Sequence, residues 1–468
     1  MFAQAHAEFR IPELESVAQL YNFKVNLSDN MDDRDTSRPF MVVELESDHH
    51  ARLLARRCIL IKSIYGFYGK GANYEELHSC NQANRRLWER YIPETSFKFI
   101  VSAFNHKIPL RRQRDIVEGF AYMGFMGKID MKNPELTLSC FEEYEGRSGI
   151  SRERHEGDGD FRQVYFGKLI ELGSARPLVQ MFDVKKRLFF GNTSMEAEIS
   201  LLMANQTLAS PGKLIYDPFL GTGSLAYPVA YFGAQVIGSD IDGRQMRGKE
   251  TTPGVFRAAS QYGVIQRILD ICTFDVTNNP WRCGELFDAI VTDPPCNFVH
   301  SFYQVCSLLM PFQDGVRAGA KRLGRKKELE ADRLALYREH RVNSKPDDTP
   351  YIPPTKPYEL SNLATDLVLL ARYLLKPGGR LVFFLPTVTD QYEEVDIQTM
   401  LCDGMEVIAN SLQDFGSWGR RVTSRPHLPP VFGDREDTPQ NQAQHVPAHR
   451  HFREKYFQGF RTSIDSQS

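Results

Sequence analysis

The sequence predicts an α/β chain in two parts, an N-terminal α+β region with antiparallel strands followed by a doubly wound parallel sheet covered by helices. Three observations lead there. From about residue 179 strands and helices alternate, with a loop at each switch, as in a parallel sheet flanked on both faces. Before that point short strands and helices follow one another without that repeat. Within that alternation lies DPFLGTGS (217–224), a glycine-rich turn joining a strand to a helix, which is where such sheets bind ligands. At 468 residues the chain also exceeds one ordinary domain.

In the N-terminal part PFMVVELES (39–47) and CILIKSIYGFYG (58–69) read as strands around a helical DHHARLLAR. A charged helical stretch covers about 74–90, then SFKFIVSAF (96–104) is a strand and PLRRQRDIVEGFAYM a helix. ELTLSCFEEYE and RQVYFGKLIELG are strands joined by a polar, glycine-containing loop. Phe97, Phe99, Phe104, Phe120 and Tyr122 read as core residues more readily than as base-stacking platforms. The second part opens with TSMEAEISLLMANQTL, a helix with the capping-box spacing Thr193-x-x-Glu196 and an apolar face of Met195, Ile199 and Leu202. Strand KLIYD, a helix from Ser224, strand QVIGSD, a helical stretch to Tyr262 and strand VIQRILD follow, and FDAIVTD and KPGGRLVFFLP complete the series. A charged segment covers 315–350, and 425–468 is a polar tail expected to be disordered.

Net charge is −2, so no global signature of a nucleic-acid binder exists, but basic clusters do occur. Arg111, Arg112 and Arg114 form one, and Lys321 and Arg322 begin another; both are candidates for phosphate contact. The eight cysteines are scattered without a CxxC pair, which argues for reduced thiols and against structural zinc or a disulfide framework. His445, His449 and His451 lie in the polar tail, and no metal site is expected. No apolar run approaches the ~18 residues a membrane helix needs, and no signal peptide is evident.

The chemistry concentrates at strand ends. Gly221 and Gly223, with Phe219 and Thr222 beside them, let the backbone pass close to a ligand. Asp240, followed by Ile241, ends the next strand 23 residues after Asp217, where a carboxylate can hold two ribose hydroxyls. A nucleotide-type cofactor fits this pattern. The loop lacks GxGxxG spacing, however, and Asp217 would repel a pyrophosphate while suiting the cationic amino group of S-adenosyl-L-methionine. Asp275 is placed to accept from an adenine amine. In FDAIVTDPP, Asp293 precedes Pro294 and Pro295, which remove two backbone donors and fix φ. The Asp293 carboxylate and the Pro294 carbonyl remain as acceptors able to hold both hydrogens of an exocyclic amine and turn its lone pair toward a methyl donor.

These stretches, with FAQAHAEFRIPELESVAQL, KRLFFGNTSMEAEISLLMAN and TKPYELSNLATDLVLLARYLLKPGGRLVFFLP, resemble the catalytic subunit of eukaryotic tRNA (guanine-10-N2)-methyltransferases along residues 2 to about 424. The resemblance implies a ferredoxin-like part over 1–75, a THUMP-type tRNA-binding module over 76–178 and a Rossmann-like methyltransferase domain over 179–424. It further implies S-adenosyl-L-methionine as cofactor, tRNA as substrate, a small zinc-binding methyltransferase activator subunit as partner, and a cytoplasmic location. Two other readings are an adenine-N6 or cytosine-N4 nucleic-acid methyltransferase, and a catalytically dead tRNA-binding protein that keeps the cofactor fold.

One departure matters: the family continues its catalytic loop as DPPYGVR, whereas this chain reads DPPC at Cys296. The missing continuation GVR follows Asp314, so residues 296–313 read as a retained intron. A cysteine codon TGT split after its first base starts an intron with GT, and a glutamine codon CAA followed by the G that opens an aspartate codon GAY gives the intron an AG end, leaving AY to the next exon. Joining T to the remaining AY gives a tyrosine codon, restoring DPPYGVR in frame. The 18 residues correspond to 54 nucleotides. With the insertion, turnover is expected to fall about a hundredfold, because misplacement near 1 Å costs that much.

Overall fold

The computed structural model describes residues 1–3, 5–30, 34–104, 107–144, 161–191, 194–294, 360–388, 402, 404–415 and 418–426. The chain divides into two compact units, Met1–Pro177 and Leu178–Ser468.

In the first unit α1 (Arg10–Leu20) and α2 (Asp48–Arg57) accompany a two-residue ladder of β1 (Asn26–Leu27) and β2 (Val43–Glu44). Ser47 caps α2 by accepting from the His50 amide, and Arg56 and Arg57 sit at its negative C-terminal end. Buried Glu13 of α1 accepts from the Ile59 and Leu60 amides at 2.7 and 3.1 Å, fastening the helix to the chain that enters the main sheet. That sheet comprises β3 (Ser63–Gly71), β4 (Phe97–Ala103), β5 (Leu136–Tyr144) and β6 (Phe161–Leu172) in the order β3-β6-β5-β4. Two helices, α3 (Tyr74–Ala83) and α4 (Leu110–Gly119), pack on it, with Phe99, Phe120 and Phe166 stacked in the core. Phe97, Phe104 and Tyr122 are half-buried or partly exposed around it.

Two expectations for this unit need correction. The strands are not all antiparallel: β4 and β5 run parallel, because α4 carries the chain back to the starting end of the sheet. The strand expected at 39–47 contracts to Val43–Glu44, and that expected at 58–69 begins only at Ser63. Cys58 to Ile61 are buried, so their apolar run reflects core burial and not a long strand.

The second unit holds a seven-stranded sheet. Its strands are β7 (Leu214–Asp217), β8 (Gln235–Asp240), β9 (Ile268–Thr273), β10 (Phe287–Thr292), β11 (Leu375–Val388), β12 (Ala409–Asp414) and β13 (Trp418–Pro426), in the order β12-β13-β11-β10-β7-β8-β9. β9, β8, β7, β10 and β11 are parallel, while β13 runs antiparallel to both β11 and β12. Ile215, Tyr216, Ala289, Ile290 and Val291 are fully buried, as central strands covered on both faces must be. One cover is α10 (Leu360–Leu374), whose Leu363, Leu367, Leu370 and Leu374 meet Phe287, Leu381, Phe383 and Leu385. The short helix α5 (Pro177–Met181) spans the boundary between the units, and α6 (Ala197–Gln206), α7 (Ala226–Tyr231), α8 (Gly243–Arg247) and α9 (Gly254–Gln261) are further helices of the second unit.

The expected helix to Tyr262 is thus two short helices, parted near Gly248, whose φ of +69° no helix accommodates. The capping box is also corrected. α6 begins at Ala197 with Glu196 as its N-cap and no side-chain cap bond, and Thr193 lies outside the described residues. The helix expected from Ser224 begins at Ala226. The β12–β13 hairpin was not foreseen, and residues 425 and 426, assigned to the tail, complete β13 by pairing with Leu381 and Arg380. Residues 296–313, 315–350 and 427–468 lie outside the described residues.

Candidate active site

The order of strands creates the site. After β7 the chain winds outward to β8 and β9, then crosses to β10 on the other side of β7. The carboxyl ends of β7 and β10 therefore flank a topological switch point, where open α/β sheets leave a crevice. Asp217 ends β7, Asp240 ends β8, and Asp293 directly follows β10.

Asp217 is 1% exposed. Its Oδ1 accepts from the Phe219 amide at 3.1 Å and from the Thr292 hydroxyl at 2.8 Å. Burial pushes its carboxyl up to about 7, helped by the charges of Asp240 and Asp293 and opposed by those two hydrogen bonds. Asp240 is pushed up to about 6, again mainly by burial, although its Oδ2 accepts from the Gly221 amide at 2.9 Å and its Oδ1 from the Asp242 amide at 2.8 Å. Three carboxylates thus converge at adjacent strand ends, and among the described residues no cation forms an ion pair with Asp217 or Asp240. A pocket so constituted favours a ligand that brings positive charge and hydroxyl donors.

The glycine turn closes over this floor. Gly221 and Gly223 have φ of +53° and +82°. At Gly223 a Cβ would come within 2.7 Å of the Tyr227 ring and hydroxyl, so only glycine fits. Tyr227 donates to the Thr222 carbonyl at 2.7 Å, and the Leu220 amide bonds to the Ser239 carbonyl at 2.8 Å. Phe219 packs against the core between α10 and the sheet, Thr222 is buried, and Ile241 is half-buried.

The segment before α6 lies against the same turn. Ser194 Oγ and Thr222 Oγ1 share a hydrogen bond of 2.8 Å, and the Met195 amide donates to Ser224 Oγ at 3.1 Å. Buried Arg187 donates to Ser224 Oγ at 2.8 Å and lies 5.0 Å from the Tyr227 ring centroid. Sequence reasoning missed Arg187, Ser194, Asp242 and Thr292. Only Thr292 carried a signal, a hydroxyl residue at the end of an apolar strand that must find a buried partner.

The structure brings Asp217, Phe219, Gly221, Thr222, Gly223, Asp240 and Asp293 together around one crevice, with buried Pro294 beside Asp293. Asp275, after β9, caps a short turn, its Oδ1 accepting from the Thr277 amide and hydroxyl at 2.9 and 2.8 Å. Pro295, Lys321 and Arg322 lie outside the described residues. In the first unit Arg111, Arg112 and Arg114 are exposed on α4. Arg112 is partly committed, pairing at 2.7 Å with Glu142, whose side chain is wholly buried and also accepts from Tyr74 and Tyr144.

Comparison with known proteins places this architecture. The family model described as Tmrp11 THUMP N-terminal domain matches residues 1–176. The tRNA (guanine(10)-N(2))-methyltransferase of Saccharomyces cerevisiae is 34% identical over 463 residues, covering 98% of each chain. That of Schizosaccharomyces pombe is 34% identical over 97% of this chain and 95% of its own, and the Homo sapiens protein, TRMT11, is 30% identical over 98% and 94%. Among solved structures TrmN from Thermus thermophilus is a distant likeness, 16% identical over 91% of this chain and 99% of its own, with a TM-score of 0.38. The chain belongs to the tRNA (guanine(10)-N(2))-methyltransferase family.

Proposed function

We propose that the protein transfers a methyl group from S-adenosyl-L-methionine to the exocyclic N2 amine of guanosine 10 in tRNA. The observation that carries this reading is the crevice between β7 and β10, where Asp217, Asp240 and the Asp293–Pro294 turn converge. The site fits the cofactor. Asp217 suits its amino group, since both hydrogen bonds to that buried carboxylate fall on Oδ1 and leave Oδ2 to a cation. Asp240 suits the ribose hydroxyls, and Gly221 and Gly223 allow the backbone close approach. Asp275 is the candidate acceptor for the adenine amine. The bound cofactor supplies an electrophilic sulfonium methyl.

Everything else falls to the chain. Asp293 and the Pro294 carbonyl accept the two amine hydrogens, which turns the nitrogen lone pair out of the ring plane. Such orientation contributes on the order of 7 kcal/mol or more in ideal cases. Asp293 then receives the proton released by the amine.

The N-terminal half, residues 1–75 and 76–178, would hold tRNA, with Arg111 and Arg114 as the phosphate contacts best placed. The methyltransferase domain, 179–424, would work with a small zinc-binding activator subunit in the cytoplasm. Leu269 on β9, an edge strand of the sheet, is 46% exposed and with Ile265 offers such a partner an apolar edge. No helix among the described residues is long and apolar enough to cross a membrane.

The test uses two proteins, the 468-residue chain and a form in which residues 296–314 are replaced by a single tyrosine to restore DPPYGVR, each with tritium-labelled cofactor and tRNA, with and without the activator. Label recovered as N2-methylguanosine from the shorter form is the expected result. Label on adenine N6 or cytosine N4, or none from either form with the activator present, overturns the reading.

A further inference from the structure

Thr292 is the last residue of β10 and is fully buried. A buried hydroxyl left unpaired is costly, so its partner is informative. That partner is Asp217 Oδ1 at the end of neighbouring β7, 2.8 Å away and 75 residues distant in the chain. The other bond to Asp217 comes from its own turn, from the Phe219 amide two residues on. A single local donor leaves the carboxylate free to swing about its side-chain torsions; a second, from the facing strand, fixes its plane.

We propose that Thr292 is a positioning residue for the cofactor: its hydroxyl holds Asp217 so that Oδ2 meets the cationic amino group of S-adenosylmethionine. The contact ties the cofactor's anchor on β7 to the strand that leads directly into Asp293 and Pro294. This inference rests on the cofactor reading above.

The charged groups facing Asp217 are Asp240 from β8 and Asp293 from β10, both negative, and the nearby Tyr216 hydroxyl is engaged with Ser239 at 2.7 Å. They and burial hold Asp217 near 7, and a cationic ligand needs the ionised form. Affinity should therefore rise with pH through that range. The Thr292 donor favours ionisation, so removing it should displace the rise to higher pH.

The experiment measures S-adenosylmethionine binding to the full chain by calorimetry from pH 6 to 8.5. Thr292→Val keeps the shape and deletes the donor, and about tenfold weaker binding at pH 7 with an upward-shifted pH midpoint is expected. Thr292→Ser should bind close to the parent, and Thr292→Cys, a weak donor of similar size, should fall between; melting curves report whether each variant is folded. A Thr292→Val protein with the parent's pH profile, or a serine variant as weak as the valine one, overturns the inference and leaves the residue a packing role. If Thr292→Val does not fold, the serine and cysteine variants decide by the same ordering. A parent chain that binds no cofactor overturns the underlying reading and this inference with it.

Discussion

Asp217→Asn should make the ligand-free protein more stable at pH 8 than at pH 5, relative to the parent. The carboxyl is 1% exposed and ionises at about 7 instead of the usual 3.8. A carboxyl whose folded value is raised contributes stability fully present below the unfolded value and lost as pH rises through the folded one. For a shift from 3.8 to about 7, linkage gives a loss of about 2 kcal/mol by pH 5 and about 4 kcal/mol by pH 8. The amide in the variant does not titrate. Its oxygen can still accept from Thr292 and Phe219, and any unpaired amide hydrogen costs about 1–3 kcal/mol equally at both pH values. The informative quantity is therefore the change in the gap between the two proteins, about 2–3 kcal/mol between pH 5 and pH 8. For a domain of this size that is a difference of roughly 5–10 °C in melting temperature. Scanning calorimetry of both proteins at both pH values measures it. The same experiment with S-adenosylmethionine present should stabilise the parent and leave the variant unmoved. A gap that is equal at pH 5 and pH 8 would refute the buried-carboxylate argument.

Three further outcomes are expected. Asp240→Ala should weaken cofactor binding tenfold or so, about 1.4 kcal/mol, and unchanged affinity by calorimetry would remove Asp240 from the site. Replacing Arg111 and Arg114 by Ala should weaken tRNA binding and flatten its salt dependence, whereas Arg112→Ala should chiefly lower the melting temperature by depriving buried Glu142 of its cation; equal salt slopes in parent and double variant would make the two arginines ordinary surface charge. Sequencing cDNA across the codons for residues 295–314 should find transcripts lacking 54 nucleotides, and transcripts that all retain them, together with a fully active 468-residue protein, would make residues 296–313 a genuine insertion.

The sequence by itself determined what depends on near neighbours along the chain. An apolar run ending in an acid and followed by a glycine-rich turn reads as a strand, a carboxylate and a close-approach loop, so Asp217, Gly221, Gly223 and Asp240 were legible as a candidate site. The two prolines after Asp293 likewise announced a turn stripped of donors. Tertiary structure decided whatever depends on which strand lies beside which. Alternation of apolar residues is the same for parallel and antiparallel neighbours, so the parallel pairing of β4 with β5 was invisible until α4 was seen to carry the chain across. Burial of Cys58 to Ile61 imitated a strand for the same reason. Arg112 looked like its neighbours Arg111 and Arg114, and only the fold set Glu142 beside it. Thr292 meets Asp217 because crossing back to the far side of β7 makes β10 its neighbour, a contact created by strand order and carried by no local pattern.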